Sequence, residues 1–376
     1  MILWLSLLSF KEILYMPEEK IYSVIAGTGC YIPEKIVRNE DFLSNVFFEN
    51  NGVKIEIQNA EIIQKFKKIT NIEERRYVNE HLVTSDIAAI AAENALKSSG
   101  IDRETIDYVI VAHNFGNVKS NNRKSDLVPS IATRVKHKLG IKNPFAVAYD
   151  VIFGCPGWLQ GIIQANYYIK SGDAKRALVI GAETLSRVSD PHDRDSMIYS
   201  DGAGATILEA KSSMEPIGIL SNATRTDSFE FGYLLGMDKS YNPELNSSNL
   251  YLKMNGRKLY EYALNYVPTL VKSCIEKAGL TLSNIDKVLI HQANEKMDDA
   301  ILQRLFKLYD NAKIPQYVMP MIINKMGNSS VATLPTMLDM ILKDKLPEHQ
   351  INPGDNLVFA SVGAGMNINA ITYKAV

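Results

Sequence analysis

An internal repeat constrains this chain more than any other feature. The segment ALKSSGIDRETIDYVIVAHN (Ala95–Asn114) aligns without a gap with CIEKAGLTLSNIDKVLIHQAN (Cys274–Asn294), nearly half a chain away. Gly100 falls on Gly279, Ile106–Asp107 on Ile285–Asp286, and Val109 on Val288. Each copy reads as an amphipathic helix, a glycine stop, a short loop and a buried apolar strand. A second echo sets DGAGATIL (201–208) beside VGAGMNINAI (362–371). Such a chain is expected to fold as two similar α/β halves.

The halves are expected at 16–212 and 213–376. Residues 1–15 (MILWLSLLSFKEILY) lack the basic flank and small-residue cleavage site of a signal peptide, and read as an arm or an upstream-start extension. The apolar runs VIAGTGC, RALVIGAE and NLVFASVGAG read as strands, and TSDIAAIAAENALKS, GWLQGIIQANYYIKSG and ATLPTMLDMILKDK as helices. This alternation predicts helices covering sheets. Residues 44–66 read as an irregular insertion, and 117–126 and 239–249 as surface loops.

Composition excludes several classes. Hydrophobic residues make up 46% and charged residues 22%, the balance of a globular chain rather than a disordered or coiled-coil one. No apolar run reaches the roughly 18 residues of a membrane span. A net charge of −1 argues against nucleic-acid or membrane binding through a basic surface. Three cysteines, Cys30, Cys155 and Cys274, make no disulfide framework and point to a reducing compartment, the cytoplasm. No metal cluster, nucleotide fingerprint or P-loop is visible.

Cys155 lies in AYDVIFGCPGWLQG, where a strand-like run gives way to a helix. Pro156 suits a first helical turn, and unpaired amides at a helix start favour a thiolate. A free cysteine here is either a nucleophile or a small buried hydrophobe. His291 ends the apolar strand KVLI, where α/β crevices form. Asn328 stands in the loop GNSS ahead of an apolar helix, a place that also suits a capping residue. His113, one residue out of register with His291 in the repeat, is expected near the same crevice. Together Cys155, His291 and Asn328 offer a thiolate, an imidazole partner and a neutral amide donor.

The ordered set of motifs resembles the β-ketoacyl-acyl-carrier-protein synthase III family, on the thiolase fold. The resemblance runs from GTGCYIPEKIVRNEDF through IEERRYV, Gly-Cys-Pro-Gly-Trp, HDRDSMIYSDGAGATIL and MNGRKLYEYA to HQAN, GNSS and GAGM. It implies duplicated α/β halves in a layered αβαβα arrangement and a homodimer. Cys155 would carry the acyl group. His291 and Asn328 would hold the thioester carbonyl of the second substrate and stabilise its enolate. The backbone N–H groups of Cys155 and Ala364 would form the oxyanion hole. Arg194 would contact the coenzyme A or carrier end, and Asn294 would lie beside the pantetheine tunnel.

The implied activity is Claisen-type condensation of acyl thioesters through an acyl-cysteine. No bound cofactor or metal is implied; phosphopantetheine thioesters, on coenzyme A or acyl carrier protein, are substrates. Near IEERR the family's adenine-sandwiching Trp and Arg are replaced, with Lys65 and Ile69 nearby. This and VAHNFGNVKSNN resemble ketosynthases of dialkylresorcinol and aryl-polyene type, which would join a 3-ketoacyl thioester to a second acyl chain. Thioester hydrolysis, acyl transfer to another acceptor, and a non-catalytic partner subunit are the alternatives. Trp158, Met254, Tyr260, Met326 and Met366 are candidates for either an acyl pocket or ordinary core.

Overall fold

The computed structural model describes residues 19–245, 247–310 and 313–376. The expected arm at 1–15 lies outside the described residues. Strands β1 (Lys20–Tyr31), β2 (Tyr108–Ala112), β3 (Val147–Val151), β4 (Arg176–Thr184) and β5 (Asp201–Ser213) form one sheet in the order β1-β5-β4-β2-β3. Strands β6 (Gly218–Thr226), β7 (Lys287–Ile290), β8 (Asn356–Gly363) and β9 (Asn367–Lys374) form a second in the order β6-β9-β8-β7. Six helices matter to the site: α1 (Asn59–Thr70), α2 (Thr84–Ser99), α3 (Gly157–Ser171), α4 (Gly256–Lys277), α5 (Glu295–Lys307) and α6 (Thr333–Leu342).

The two sheets share one topology. β1 and β6 each pair antiparallel with the last strand of their sheet, β5 and β9. Those pair antiparallel with β4 and β8, which run parallel to β2 and β7. β3 is an addition to the first sheet, parallel to β2 and at its edge.

The sequence repeat has a physical cause. Gly100 and Gly279 follow the helices with φ of 68° and 73°, left-handed values that a residue without Cβ adopts freely. A short 3-10 turn follows each, at Arg103–Thr105 and Leu282–Asn284. The aligned aspartates then tie neighbouring strands. Asp107 Oδ2 accepts the N–H groups of Lys175 (2.7 Å) and Arg176 (2.9 Å), and Asp286 Oδ2 that of Asn356 (2.8 Å). The second echo has no such equivalence. Asp201–Gly204 lies inside β5, whereas Gly363–Gly365 forms the turn between β8 and β9, so the matched glycines serve different backbones.

Side-chain alternation builds five layers. Val109 and Val111 of β2 pack outward with Ile87, Ala88 and Ala91 of α2. Ile110 and Ala112 pack inward with Trp158, Ile162 and Ile163 of α3 and Leu334, Met337 and Leu338 of α6. Leu289, Leu357 and Phe359 of the second sheet reach the same middle layer. Val288, Ile290 and Val358 face away, against Val267 and Val271 of α4 and Ile301 and Leu305 of α5. This is the layered αβαβα arrangement. The middle helices touch apolar surface on two sides, which is why α6 is buried from Thr333 to Ile341.

Part of the expected insertion at 44–66 is helical. Ile62, Ile63, Phe66 and Thr70 of α1 are buried at helical spacing, and Asn71, at φ 59°, ends the helix. The polar residues between them hide this pattern in sequence.

Asp298 on α5 is a liability in this packing. It is fully buried and neither carboxylate oxygen makes a hydrogen bond. Burial first, then Asp299 and Glu295, push its acid well above the usual range. The folded chain therefore keeps a proton that the unfolded chain releases above about pH 4, and stability falls as pH rises from there. Asp298→Asn removes that dependence. Urea unfolding should show it more stable than wild type at neutral pH, the gain shrinking toward about pH 4. An equal difference at both pH values would refute the assignment.

Candidate active site

The site is built where one loop from each half meets the other. After β3 the chain turns through Gly154, at φ 64°, into α3, with Pro156 at its N-cap. A Cβ on Gly363, at the end of β8, would lie 2.4 Å from the Cys155 nitrogen. One on Gly154 would lie 2.6 Å from the Ala364 nitrogen. Backbone therefore meets backbone here, and no side chain fits between.

Cys155, His291, Asn328 and Ala364 all line one cavity of about 320 Å³ at this junction. Its remaining wall is mainly apolar, with Phe115, Leu185, Leu252 and Leu259. Met254 belongs to this wall too. Of the other pocket candidates, Tyr260 lines a neighbouring cavity, while Trp158 and Met366 belong to the core.

His291 follows β7, and its N–H bonds the Ala360 carbonyl at 2.8 Å. The ring is buried, and Nδ1 makes no hydrogen bond. Burial drives its pKa down to about 4, so the imidazole is neutral near pH 7. Asn328 is held on both sides of its backbone. Its N–H bonds Ile198 and its carbonyl accepts from Ser200, each at 2.8 Å. Its Oδ1 accepts the Ser330 N–H at 2.8 Å, which leaves the NH₂ end as the donor for a ligand.

The Cys155 thiol departs from the sequence expectation. Burial pushes it up to about 11, outweighing the hydrogen bond that Ser330 Oγ gives its sulfur at 3.3 Å. The helix start is present, but desolvation dominates, so at rest both thiol and imidazole are neutral.

A second cavity adjoins the first and shares Met254, Leu259, Ala293 and Met297 with it. Arg194 and Asn294 line this second space and not the first. Arg194 pairs with Glu49 at 3.0 Å, rather than with its sequence neighbours, and Asn294 Oδ1 caps α5 through the Met297 N–H at 3.2 Å. Lys65, Ile69 and Arg257 lie on the same wall.

His113 does not share the crevice, contrary to expectation. It is fully buried. Its Nε2–H bonds Asp150 at 2.9 Å, and Nδ1 accepts the Gly116 N–H at 3.0 Å, so it braces a loop. The neighbouring Asn114 lines the cavity instead. Sequence reasoning missed Asn114, Glu183 and the role of Ser330. Only Ser330, inside GNSS, carried any signal. Among the described residues no cluster of three or more His, Cys, Asp or Glu could hold a metal. No described helix is long and apolar enough to cross a membrane.

Comparison with known proteins places the chain in a family. The family model for 3-oxoacyl-[acyl-carrier-protein] synthase III matches residues 149–228, and the model for its C-terminal part matches 275–375. A β-ketoacyl-[acyl-carrier-protein] synthase III of Vibrio vulnificus is 35% identical over 92% of this chain and 97% of its own. One from Halalkalibacterium halodurans is 32% identical over 91% of this chain and 95% of its own. The crystal structure of the Thermus thermophilus synthase III superposes with a TM-score of 0.77 at 29% identity, covering 94% of this chain and 99% of the other. The chain belongs to the β-ketoacyl-acyl-carrier-protein synthase III family of acyltransferases, on the thiolase fold.

Proposed function

We propose that the condensing reaction of this ketosynthase runs through Cys155, His291, Asn328 and the backbone of Ala364. The observation that carries this is their convergence on one largely apolar cavity where the two halves meet. The Cys155 sulfur attacks the carbonyl of an acyl thioester, and the proton it gives up leaves on the expelled pantetheine thiol. A second thioester, malonyl or 3-ketoacyl, then places its carbonyl oxygen against the Asn328 NH₂ and the neutral His291 ring. An enolate forms, in the malonyl case by loss of carbon dioxide and in the 3-ketoacyl case by loss of the acidic C2 proton to solvent, and its carbon attacks the acyl-cysteine. The N–H groups of Cys155 and Ala364 hold the tetrahedral oxyanion, which collapses to a 3-ketoacyl product and frees the thiolate.

The second cavity suits the pantetheine arm, with Arg194, Asn294 and Arg257 toward its carrier end. Lys65 and Ile69 offer no aromatic–guanidinium sandwich for an adenine, which favours a longer carrier-borne donor over acetyl-coenzyme A. The partners are acyl carrier protein and a second copy of this chain. β3 is a sheet edge, with Phe145, Val147 and Ile152 exposed along it, and such an edge suits strand pairing with its twin. The compartment that fits this substrate set is the cytoplasm.

Cys155→Ala should abolish acyl-enzyme formation, read as the mass of intact protein after exposure to a panel of acyl thioesters. Acylation at Cys30 or Cys274 instead would refute the nucleophile. Asn328→Ala should still acylate but lose condensation by roughly 100- to 1,000-fold, as for removal of one oxyanion donor. Wild-type condensation by that variant would reduce Asn328 to a turn residue.

A further inference from the structure

The nucleophile has a buried support that its three-residue description omits. Glu183, near the end of β4, is fully buried. Its Oε2 accepts both the backbone N–H (2.8 Å) and the side-chain N–H (2.9 Å) of Asn114. These two bonds fix the amide. Asn114 Oδ1 then accepts the Gly154 N–H at 3.0 Å, immediately before Cys155. Asn114 Nδ2 also reaches Ser330 Oγ at 3.4 Å. A hydroxyl whose oxygen is engaged as acceptor turns its own proton elsewhere, and the Cys155 sulfur lies 3.3 Å away. Ser330 sits at φ 53°, a left-handed value uncommon for a residue with a side chain, and its N–H is clamped by Asn328 Oδ1.

We propose that Glu183, Asn114 and Ser330 form a relay that aims a hydroxyl proton at the Cys155 sulfur. Ser330 is then a catalytic residue, touching the reacting atom, and Asn114 and Glu183 are positioning residues. The proposal rests on the reading of Cys155 as nucleophile and deepens it. Sulfur becomes anionic when it attacks a thioester and again when it is expelled from the acyl-enzyme. A donor hydrogen bond favours that charge at both moments.

The electrostatics agree. Ser330's hydrogen bond lowers the Cys155 pKa against burial, while the Glu183 carboxylate raises it. Tyr199 and His291 also line the space around the sulfur. Burial lifts the Glu183 carboxyl to about 7, with the two hydrogen bonds from Asn114 opposing. Glu183 Oε1 makes no hydrogen bond, so a proton can sit there while Oε2 keeps both bonds to Asn114. Glu183→Gln thus preserves the acceptor and removes the charge.

The test is alkylation of Cys155 by iodoacetamide from about pH 6 to 10, read by intact mass, with Cys155→Ala as background. Ser330→Ala should slow alkylation near neutral pH about tenfold, the worth of a hydrogen bond to a charged group. It should also move the rising limb of the profile to higher pH. Asn114→Ala and Glu183→Ala should behave alike. Glu183→Gln should recover most of the Glu183→Ala loss and move the limb to lower pH. If Glu183→Ala does not fold, the Glu183→Gln profile decides, and one superposing on wild type overturns the part given to Glu183. A wild-type profile for Ser330→Ala overturns the relay while acylation of wild-type Cys155 leaves the nucleophile standing. Failure of wild-type Cys155 to acylate with any thioester overturns the nucleophile itself.

Discussion

The arrangement depends on a helical layer that has sheet on both sides. α3 and α6 fill the space between the two sheets, so their polar groups have little water to turn to. Asp339, 1% exposed on α6, accepts from Thr28 Oγ1 at 2.8 Å and pairs with Lys343 at 2.6 Å. An unpaired carboxylate in such a place would cost several kcal/mol. Because α3 belongs to this layer, its start is fixed from both halves at once, and Cys155 inherits that rigidity. The backbone contact between Gly363 and Cys155 is the same constraint seen at the helix end.

The duplication was legible because its signal lies in residues with no substitute. A glycine past a helix and an aspartate that ties two strands recur because the backbone geometry recurs. The three candidate catalytic residues were legible for a related reason: each stands at a strand end or helix start, where the local pattern changes. α1 was not legible, since its buried face of Ile62, Ile63, Phe66 and Thr70 is diluted by three lysines and a glutamine. Glu183 and Asn114 were not legible either. Their meaning is a set of contacts between residues far apart in sequence, and nothing local distinguishes them from other polar residues near strand ends. His113 misled because the repeat places it beside His291, while its one-residue offset turns it into the core.

The resting site is electrically quiet. Desolvation holds a thiol protonated and an imidazole neutral in the same cavity. On the proposed chemistry, charge on the sulfur and on the substrate oxygens arises only as the reaction proceeds, and donors fixed in advance on Ser330, Asn328 and the loop backbones would meet it. Fixed dipoles cost little reorganisation when the charge arrives, which is the advantage of a dry cavity over a solvated one.

On the proposed reading, the four residues shared by the two cavities are the ones the pantetheine arm would run past. Whatever reaches the sulfur past Met254, Leu259, Ala293 and Met297 brings a long arm behind it. While that arm fills the shared space, a second cannot enter by the same way. On that reading the first leaving group would have to back out before the next thioester arrives, an order set by shared space rather than by affinity. Two of the four residues are methionines, whose unbranched side chains adapt to cargo of different width. The shared space can thus be strict about sequence in time while staying tolerant about what it admits.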